Sequence, residues 1–402
     1  MDPYDELLHW AQDRGVELHG VAPRAIPGRG VGLIATKPLK ASSNILLIAN
    51  ELIMHIPNSA LRSIATVRPR IKKTLPEGTK VHALLAAELA LDKPTSKHAP
   101  WNAVIPSRED VTSSLPLAWP DSRLHAYLPP KARTLLKQQS AKFERDWAVV
   151  TDSDSPALRH LTRDEYLYFW LLVNTRTFYH ETPRTKQRLA HDDRMALQPV
   201  ADLFNHADEP GCDVAFGAPG GGFEVTVGEG RNFQPGEELC ICYGRHGNDF
   251  LLVEYGFVLQ KNRWDEASLD DALLPELGPE ERETLDDRGF LGGYVLDAET
   301  VCYRTQVALR LLCAMSVEEW GRLVDEGEDG GEKMQEKTDR LLLKILRKYR
   351  ETVQRTIEEL GSLDIGEQCQ RDVLMTRWKQ IQVLIDRATE RLEAPSHMNI
   401  HA

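Results

Sequence analysis

The sequence predicts an α+β fold in which a β-rich domain is split by a helical insert and followed by an all-helical C-terminal lobe. Three observations carry that expectation. Short β-rich runs with glycine turns occur twice, near residues 30–54 and again between 198 and 260. The stretch separating them has helical periodicity and a capping signal. Beyond residue 262 the apolar residues recur mostly at steps of three or four, the spacing of one helix face. The implied division is 1–60 for the first β-rich part, 61–190 for the insert, 191–261 for the second β-rich part and 262–402 for the helical lobe.

Each element has a local reason. Asp2 is placed to cap a first helix over about residues 3–14, with Pro3 at its first position and Gly15 able to take the left-handed stop. Pro27-Gly28-Arg29-Gly30-Val31-Gly32 is a tight turn running into a strand at Leu33-Ile34-Ala35. Ile45–Ile48 and Leu52-Ile53-Met54 read as further strands. In the insert, Val81–Leu91 is apolar on most faces, as a buried helix would be. Thr162 and Glu165 form a capping box before a helix expected to run to Tyr179, carrying Tyr166, Phe169, Trp170, Val173 and Phe178. Strand signals return at Phe223–Val227, which alternates, and at Leu239–Cys242, a buried run. Two long helices follow. One bears Leu342, Leu346, Tyr349, Val353, Ile357 and Leu360; the other bears Leu374, Trp378, Ile381, Ile385, Ala388 and Leu392. The turn Gly361–Asp364 joins them into a helical hairpin. The acidic segment Asp325–Glu332 is expected to be an exposed loop, and so is the glycine-rich segment Gly217–Gly222. The basic groups Arg68-Arg70-Lys72-Lys73 and Arg347-Lys348-Arg350 read as solvated faces.

With 402 residues, 42% of them hydrophobic and 27% charged, the chain has the composition of a soluble globular protein with more than one lobe. The net charge of −12 disfavours direct nucleic-acid binding and suits a basic, lysine-rich protein partner. No apolar run is long enough for a membrane span, and the acidic N-terminus is unlike a signal or transit peptide. Six scattered cysteines imply a reducing compartment, cytosol or nucleus. The expected oligomeric state is a monomer.

Four clusters carry chemistry or mimic it. Gly30-Val31-Gly32 is either a plain tight turn or a place where bare backbone approaches a ligand; it lacks the third glycine and following helix of a dinucleotide fold. Asp202-Leu203-Phe204-Asn205-His206 is either a capped turn or a polar ligand segment. Asp208, Glu209, Cys212 and Asp213 lie close by, yet the ligand spacing of a metal site is missing and none is expected. Cys240-Ile241-Cys242-Tyr243-Gly244 has both cysteines on one strand face with no second pair, so buried, unreactive thiols are expected there. Glu254-Tyr255-Gly256-Phe257 is either packing or two walls of a pocket. A hydrolase elbow and a phosphate-cradling loop are both missing.

In this order, Gly30-Val31-Gly32-Leu33, Asp202-x-x-Asn205-His206, Gly236-Glu237-Glu238-Leu239 leading to Tyr243-Gly244, Asn248 and Tyr255-Gly256-Phe257 resemble a SET-domain methyltransferase. The resemblance is closest to the Rubisco large-subunit methyltransferase type, a split SET domain followed by a helical substrate-binding lobe, and it spans essentially the whole chain. It implies S-adenosyl-L-methionine as cofactor. Arg29, Gly30 and Val31 match the loop that holds it through backbone. Arg176 matches an arginine that meets its carboxylate. Asp202, Leu203, Phe204, Asn205 and His206 match the threaded cofactor segment. Tyr243 matches the catalytic tyrosine, and Tyr255, Gly256 and Phe257 match the cofactor and target-lysine walls. Ala207 stands where the family often has serine, and the zinc-binding cysteines that follow the domain in histone-type enzymes are not supplied after residue 257.

The resemblance therefore implies methyl transfer to a lysine of a non-histone protein, with a ribosomal protein or translation factor favoured. Protein-histidine methylation is the enzymatic alternative, and Tyr255-Gly256-Phe257 favours lysine. A scaffold that kept the fold and lost catalysis is the non-enzymatic one, opposed by an intact Tyr243 and Asn205-His206.

Overall fold

The computed structural model describes residues 2–41, 52–57, 74–92, 98–181, 183–216, 222–314, 316–327 and 331–394. The expected strand Ile45–Ile48, the basic group at 68–73 and residues 217–221 of the glycine-rich loop lie outside them. Two compact units emerge. One comprises Met1–Thr112 and Gln138–Arg245, the other Ser113–Lys137 and His246–Ala402. These borders differ from the sequence-based division mainly in grouping residues 113–137 and 246–261 with the C-terminal lobe.

The first unit begins with a helix, Pro3–Gln12, whose N-terminus is capped as expected: the Asp2 carboxylate accepts from the Tyr4 N–H at 2.9 Å. The strands are β1 (Glu17–Leu18), β2 (Val21–Ile26), β3 (Gly30–Ala35), β4 (Leu39–Lys40), β5 (Leu52–Pro57), β6 (Thr177–Tyr179), β7 (Met195–Leu197), β8 (Asn205–His206), β9 (Cys212–Phe216), β10 (Gly222–Val227), β11 (Asn232–Phe233) and β12 (Glu238–Ile241). They form two four-stranded sheets, β1-β5-β10-β9 and β2-β3-β12-β8, and two two-stranded ribbons, β4-β11 and β6-β7. All pairs are antiparallel except β8 with β12. The β2–β3 hairpin turns at Pro27-Gly28, where Gly28 takes φ +73° and the Arg29 N–H returns to the Ile26 carbonyl at 3.0 Å. Proline then glycine with positive φ suits such a turn because the proline ring presets one angle and only glycine takes the next without strain.

Between the sheets in sequence lie the insert helices. Val81–Ala90 packs against Arg163–Arg176, burying Leu84, Ala87, Tyr166 and Trp170. The Thr162–Glu165 capping box is present in both directions. The second helix ends at Arg176, three residues before the expected stop, and Phe178 sits in β6 against Phe223. A three-residue strand is too short to register against helical spacing, which is why periodicity absorbed it.

The second unit is built on the helices Gly331–Ser362 and Gln368–Glu393, whose buried Leu346, Val353, Leu374, Trp378 and Ile385 share one core with Leu252, Leu296 and Leu309. Burying each such side chain contributes about 1.5–3 kcal/mol. The hairpin connection lies past Ser362 rather than at Gly361, because Gly361 is helical; Gly366, at φ +63°, makes the reversal. Of the segment expected to be an acidic loop, residues 328–330 lie outside the described residues; one helix runs to Glu326 and the next starts at Gly331. The lobe also contains a ribbon, β13 (Glu266–Ser268) with β14 (Val295–Asp297). Arg347, Lys348 and Arg350 are exposed, as expected of a solvated face, and pair with Glu393, Glu276 and Asp386 at 2.6, 2.9 and 2.5 Å.

Candidate active site

The β8–β12 pairing assembles the polar cluster of the first unit. Parallel register sets Asn205 beside Cys240 and His206 beside Ile241, so the segment ending in Asn-His runs alongside the strand that leads to Tyr243. The approach to β8 is tightly bent. Val200, fully buried, takes φ +77°, which costs a β-branched residue of order 1–3 kcal/mol, and the short helical turn Ala201–Leu203 follows.

Tyr243 is tied to this segment at two points. Its backbone N–H donates to His206 Nδ1 at 3.1 Å, and its hydroxyl donates to the Phe204 carbonyl at 2.6 Å. The His206 and Tyr243 rings stack at 5.1 Å with an interplanar angle of 29°. Accepting at Nδ1 places the His206 ring proton on Nε2. Tyr243 therefore holds a fixed rotamer with its proton engaged, and its oxygen offers lone pairs rather than a donor.

Glu238, which no sequence role was assigned to, organises the other side. Its Oε1 accepts from Asn205 Nδ2 at 2.7 Å and its Oε2 from Arg29 Nη1 at 2.9 Å. Arg29 Nη2 donates to the His206 carbonyl at 2.7 Å, and Asn205 Nδ2 reaches the Val31 carbonyl at 3.4 Å. Asn205 thus spends its amide nitrogen internally and keeps its side-chain oxygen as the acceptor for another group. Gly32 is the glycine that this packing demands: a Cβ there would lie 2.7 Å from Glu238 Oε1 and 2.9 Å from Asn205 Nδ2. Gly30 is different, with φ +72° and open space where a Cβ would sit.

Asp202 joins the insert to the cluster. Its side chain is fully buried; Oδ2 accepts from Arg176 Nη1 at 2.8 Å and from Trp101 Nε1 at 2.9 Å, while Oδ1 has no hydrogen-bond partner among the described residues. Arg176 Nη1 also donates to the Asp202 carbonyl, at 3.1 Å. Trp101 was not singled out in the sequence. A buried indole needs a partner for its N–H, and that requirement was the one available signal.

Cys240 is buried, and burial pushes its thiol up. Cys242 is exposed, contrary to the expectation of two buried thiols, because β12 ends at Ile241 and the chain leaves the sheet. Among the described residues no group of three or more His, Cys, Asp or Glu side chains is placed to hold a metal. Leu203 and Phe204 are buried supports whose backbone forms the turn.

Tyr255, Gly256 and Phe257 belong to the second unit. Gly256 ends the helix Asn248–Tyr255 in the left-handed region at φ +82°, with Ser114 atoms 3.0–3.1 Å from where a Cβ would stand. It sets the flanking half-buried rings 6.3 Å apart. Asn248, at the start of that helix, donates to the Leu259 carbonyl and accepts from the Leu259 N–H, closing the loop that carries Phe257.

Residues 30–244 match the SET domain family, and residues 267–391 match the Ribosomal lysine N-methyltransferase 2 C-terminal domain family. SET domain-containing protein 4 of Mus musculus is 29% identical over 337 residues, covering 77% of this chain and 72% of that protein. Ribosomal lysine N-methyltransferase 2 of Saccharomyces cerevisiae is 25% identical over 305 residues, covering 66% of this chain and 63% of its own length. The Actin-histidine N-methyltransferase of Drosophila melanogaster is 27% identical over 290 residues, 66% of this chain and 51% of that protein. In fold, the chain matches Rubisco LSMT bound to sinefungin and monomethyllysine with a TM-score of 0.60 at 14% identity, covering 98% of this chain and 93% of that one. Since the SET-domain match spans more than half of the sequence, the chain belongs to the SET-domain family.

Proposed function

We propose that this chain is an S-adenosylmethionine-dependent protein methyltransferase that modifies a lysine side chain of a non-histone protein, with a ribosomal protein favoured. The observation that carries the reading is the pairing of Asn205-His206 with the strand before Tyr243, which fixes a phenol oxygen beside the Phe204 carbonyl. The similarity to ribosomal lysine N-methyltransferases supports the choice of substrate class.

The residues present fit the cofactor. Asp202 Oδ1, buried and without a partner among the described residues, and Arg176, whose hydrogen bonds among the described residues leave from Nη1, set an anion and a cation side by side. That pair matches the ammonium and carboxylate of an amino-acid moiety. Gly30 with Arg29 and Val31 supplies open backbone, and the Asn205 side-chain oxygen and His206 supply polar contacts. When bound, S-adenosylmethionine supplies a methyl group on a sulfonium, a leaving group that needs no metal or covalent enzyme intermediate.

The chain's own task is to present a neutral amine in line. A solvated lysine has a pKa near about 10.4 and is protonated at neutral pH. On the sequence match, Tyr255 and Phe257 give the amine apolar walls, which disfavour its charged form. The Tyr243 oxygen, its proton held by the Phe204 carbonyl, accepts from an amine N–H and aims the nitrogen lone pair. Positioning and fixed dipoles, rather than a covalent step, then supply the acceleration.

The test is Tyr243→Phe. Expected is unchanged S-adenosylmethionine affinity by calorimetry, with transfer of labelled methyl to a cell extract reduced by roughly 100-fold or more; transfer at the parent rate removes Tyr243 from catalysis. The match to an Actin-histidine N-methyltransferase keeps histidine as the second reading. Hydrolysis of the labelled product to amino acids separates the two, since methyl-histidine in place of methyl-lysine overturns the lysine assignment. No labelled product at any enzyme concentration supports a scaffold.

A further inference from the structure

The second unit contains a cavity of about 410 Å³ that none of the roles above uses. One wall is a stripe of the helix Gly331–Ser362, where Ile345, Tyr349, Thr352, Thr356 and Glu359 follow one another at helical spacing. Fourteen residues of helix separate its ends, about 21 Å. That length accommodates roughly six residues of extended chain. Tyr127, Pro130, Arg133, Asp271 and Trp378 line the rest.

Two features give the cavity a polarity. Tyr349 is 5% exposed, and its hydroxyl has no hydrogen-bond partner among the described residues. A buried hydroxyl in that state is destabilising, and an entering donor relieves it. The lining cations are already committed. Arg133 Nη2 is on Asp271 at 2.7 Å and its Nη1 is on the Leu128 carbonyl at 3.1 Å, while Lys348 is on Glu276 at 2.9 Å. Glu359 is the lining carboxylate with no ion pair among the described residues, so the charge left over is negative. The chain as a whole is acidic too, at −12.

We propose that this cavity is a docking subsite for an arginine side chain on an extended segment of the protein substrate. The guanidinium has donors for Glu359 and for the Tyr349 oxygen, and Tyr127 and Trp378 in the lining add aromatic contact for a cation. An arginine stem also covers apolar lining such as Ile345 and Pro130 better than a shorter cation would. The inference rests on the protein-substrate reading above. None of the lining residues belongs to the set assigned to methyl transfer, so the two readings fail separately.

The experiment uses the full chain and a fluorescein-labelled hexapeptide with arginines but no lysine or histidine, read by fluorescence anisotropy without cofactor. Glutamine and glutamate versions of the peptide serve as controls. The arginine peptide should bind and the glutamine version should bind roughly tenfold more weakly. Glu359→Gln, at an exposed position, and Thr356→Trp, which fills the cavity, should each weaken binding by roughly tenfold. The Tyr243→Phe variant should bind the peptide like the parent whatever its effect on transfer. Failure of the arginine peptide to bind, equal binding of the glutamate version, or insensitivity to both lining substitutions overturns the proposal.

Discussion

At the scale of single residues, the motif positions were legible and their supports were not. Asn205-His206 is an unusual pair in the sequence, whereas Tyr243 is marked only by its place in the order of motifs; the structure brings these three together. Glu238 belongs to a quoted motif but carries no role in sequence, and Trp101 belongs to none, because a glutamate in a strand and a tryptophan in a helical insert have many ordinary uses. Only the β8–β12 register makes Glu238 the shared acceptor of Asn205 and Arg29. Val200 is equally silent in sequence, since nothing about a valine announces a positive φ. Asp202 yields the residue-scale prediction. Its charge balances Arg176, whose side chain is only 17% exposed, and its oxygen also holds the Trp101 indole. Asp202→Asn keeps the shape and removes the charge. It should lower stability by roughly 2–4 kcal/mol in urea unfolding, because a largely buried cation loses its counterion. An unchanged unfolding midpoint would mean that Arg176 finds another anion.

At the scale of elements, long periodic helices are legible in the sequence and short strands are not. The capping box at Thr162 and the two-helix hairpin of the lobe follow from side-chain patterns that repeat over many residues. Strands β6, β7, β13 and β14 have three residues each, too few for alternation to declare itself, and exist because a partner strand satisfies their backbone. The packing of Val81–Ala90 on Arg163–Arg176 adds a pH dependence invisible in sequence. His82 stacks on Trp170 at 4.3 Å and hydrogen-bonds the Trp170 carbonyl at 2.9 Å. Burial lowers its pKa below the ordinary value, with that carbonyl and Asp146 opposing. Below about pH 6.5 the unfolded chain takes up a proton that the folded chain refuses. Stability contributed by the neutral ring is therefore complete above that pH and is lost as pH falls toward the folded value. Thermal midpoints of the parent should fall more steeply below about pH 6.5 than those of His82→Phe, by the equivalent of about one proton. Parallel curves would show that His82 titrates alike in both states.

At the scale of the whole molecule, the order β-rich, helical, β-rich, helical was legible, since hydrophobic period changes at each border. The two compact units were less so: residues 113–137 pack with the C-terminal lobe although they lie within the insert in sequence. Periodicity reports which face of an element is buried, never which distant element buries it. Polar contacts over long sequence separations are likewise unreadable in sequence, and one network of them sits in the second unit. Arg377 is completely buried on the last helix; its Nε meets Asp249 at 2.6 Å, Nη1 meets Asp265 at 2.8 Å and Nη2 meets the Glu266 carbonyl at 2.7 Å. In sequence it is one more arginine beside Trp378. In the fold it joins the end of the chain to the helix that bears Tyr255, with Gln380 adding a bond to Asn248 at 2.9 Å. Arg377→Met leaves the buried Asp249 and the half-buried Asp265 without their cation and should cost on the order of 3–5 kcal/mol, read as a lower unfolding midpoint. The same cation removed together with Asp249→Leu should cost less than the sum of the single changes, because one stranded charge goes with it. Strict additivity in that double-mutant cycle would mean that Arg377 and Asp249 act independently, and that the last helix is held by its apolar face alone.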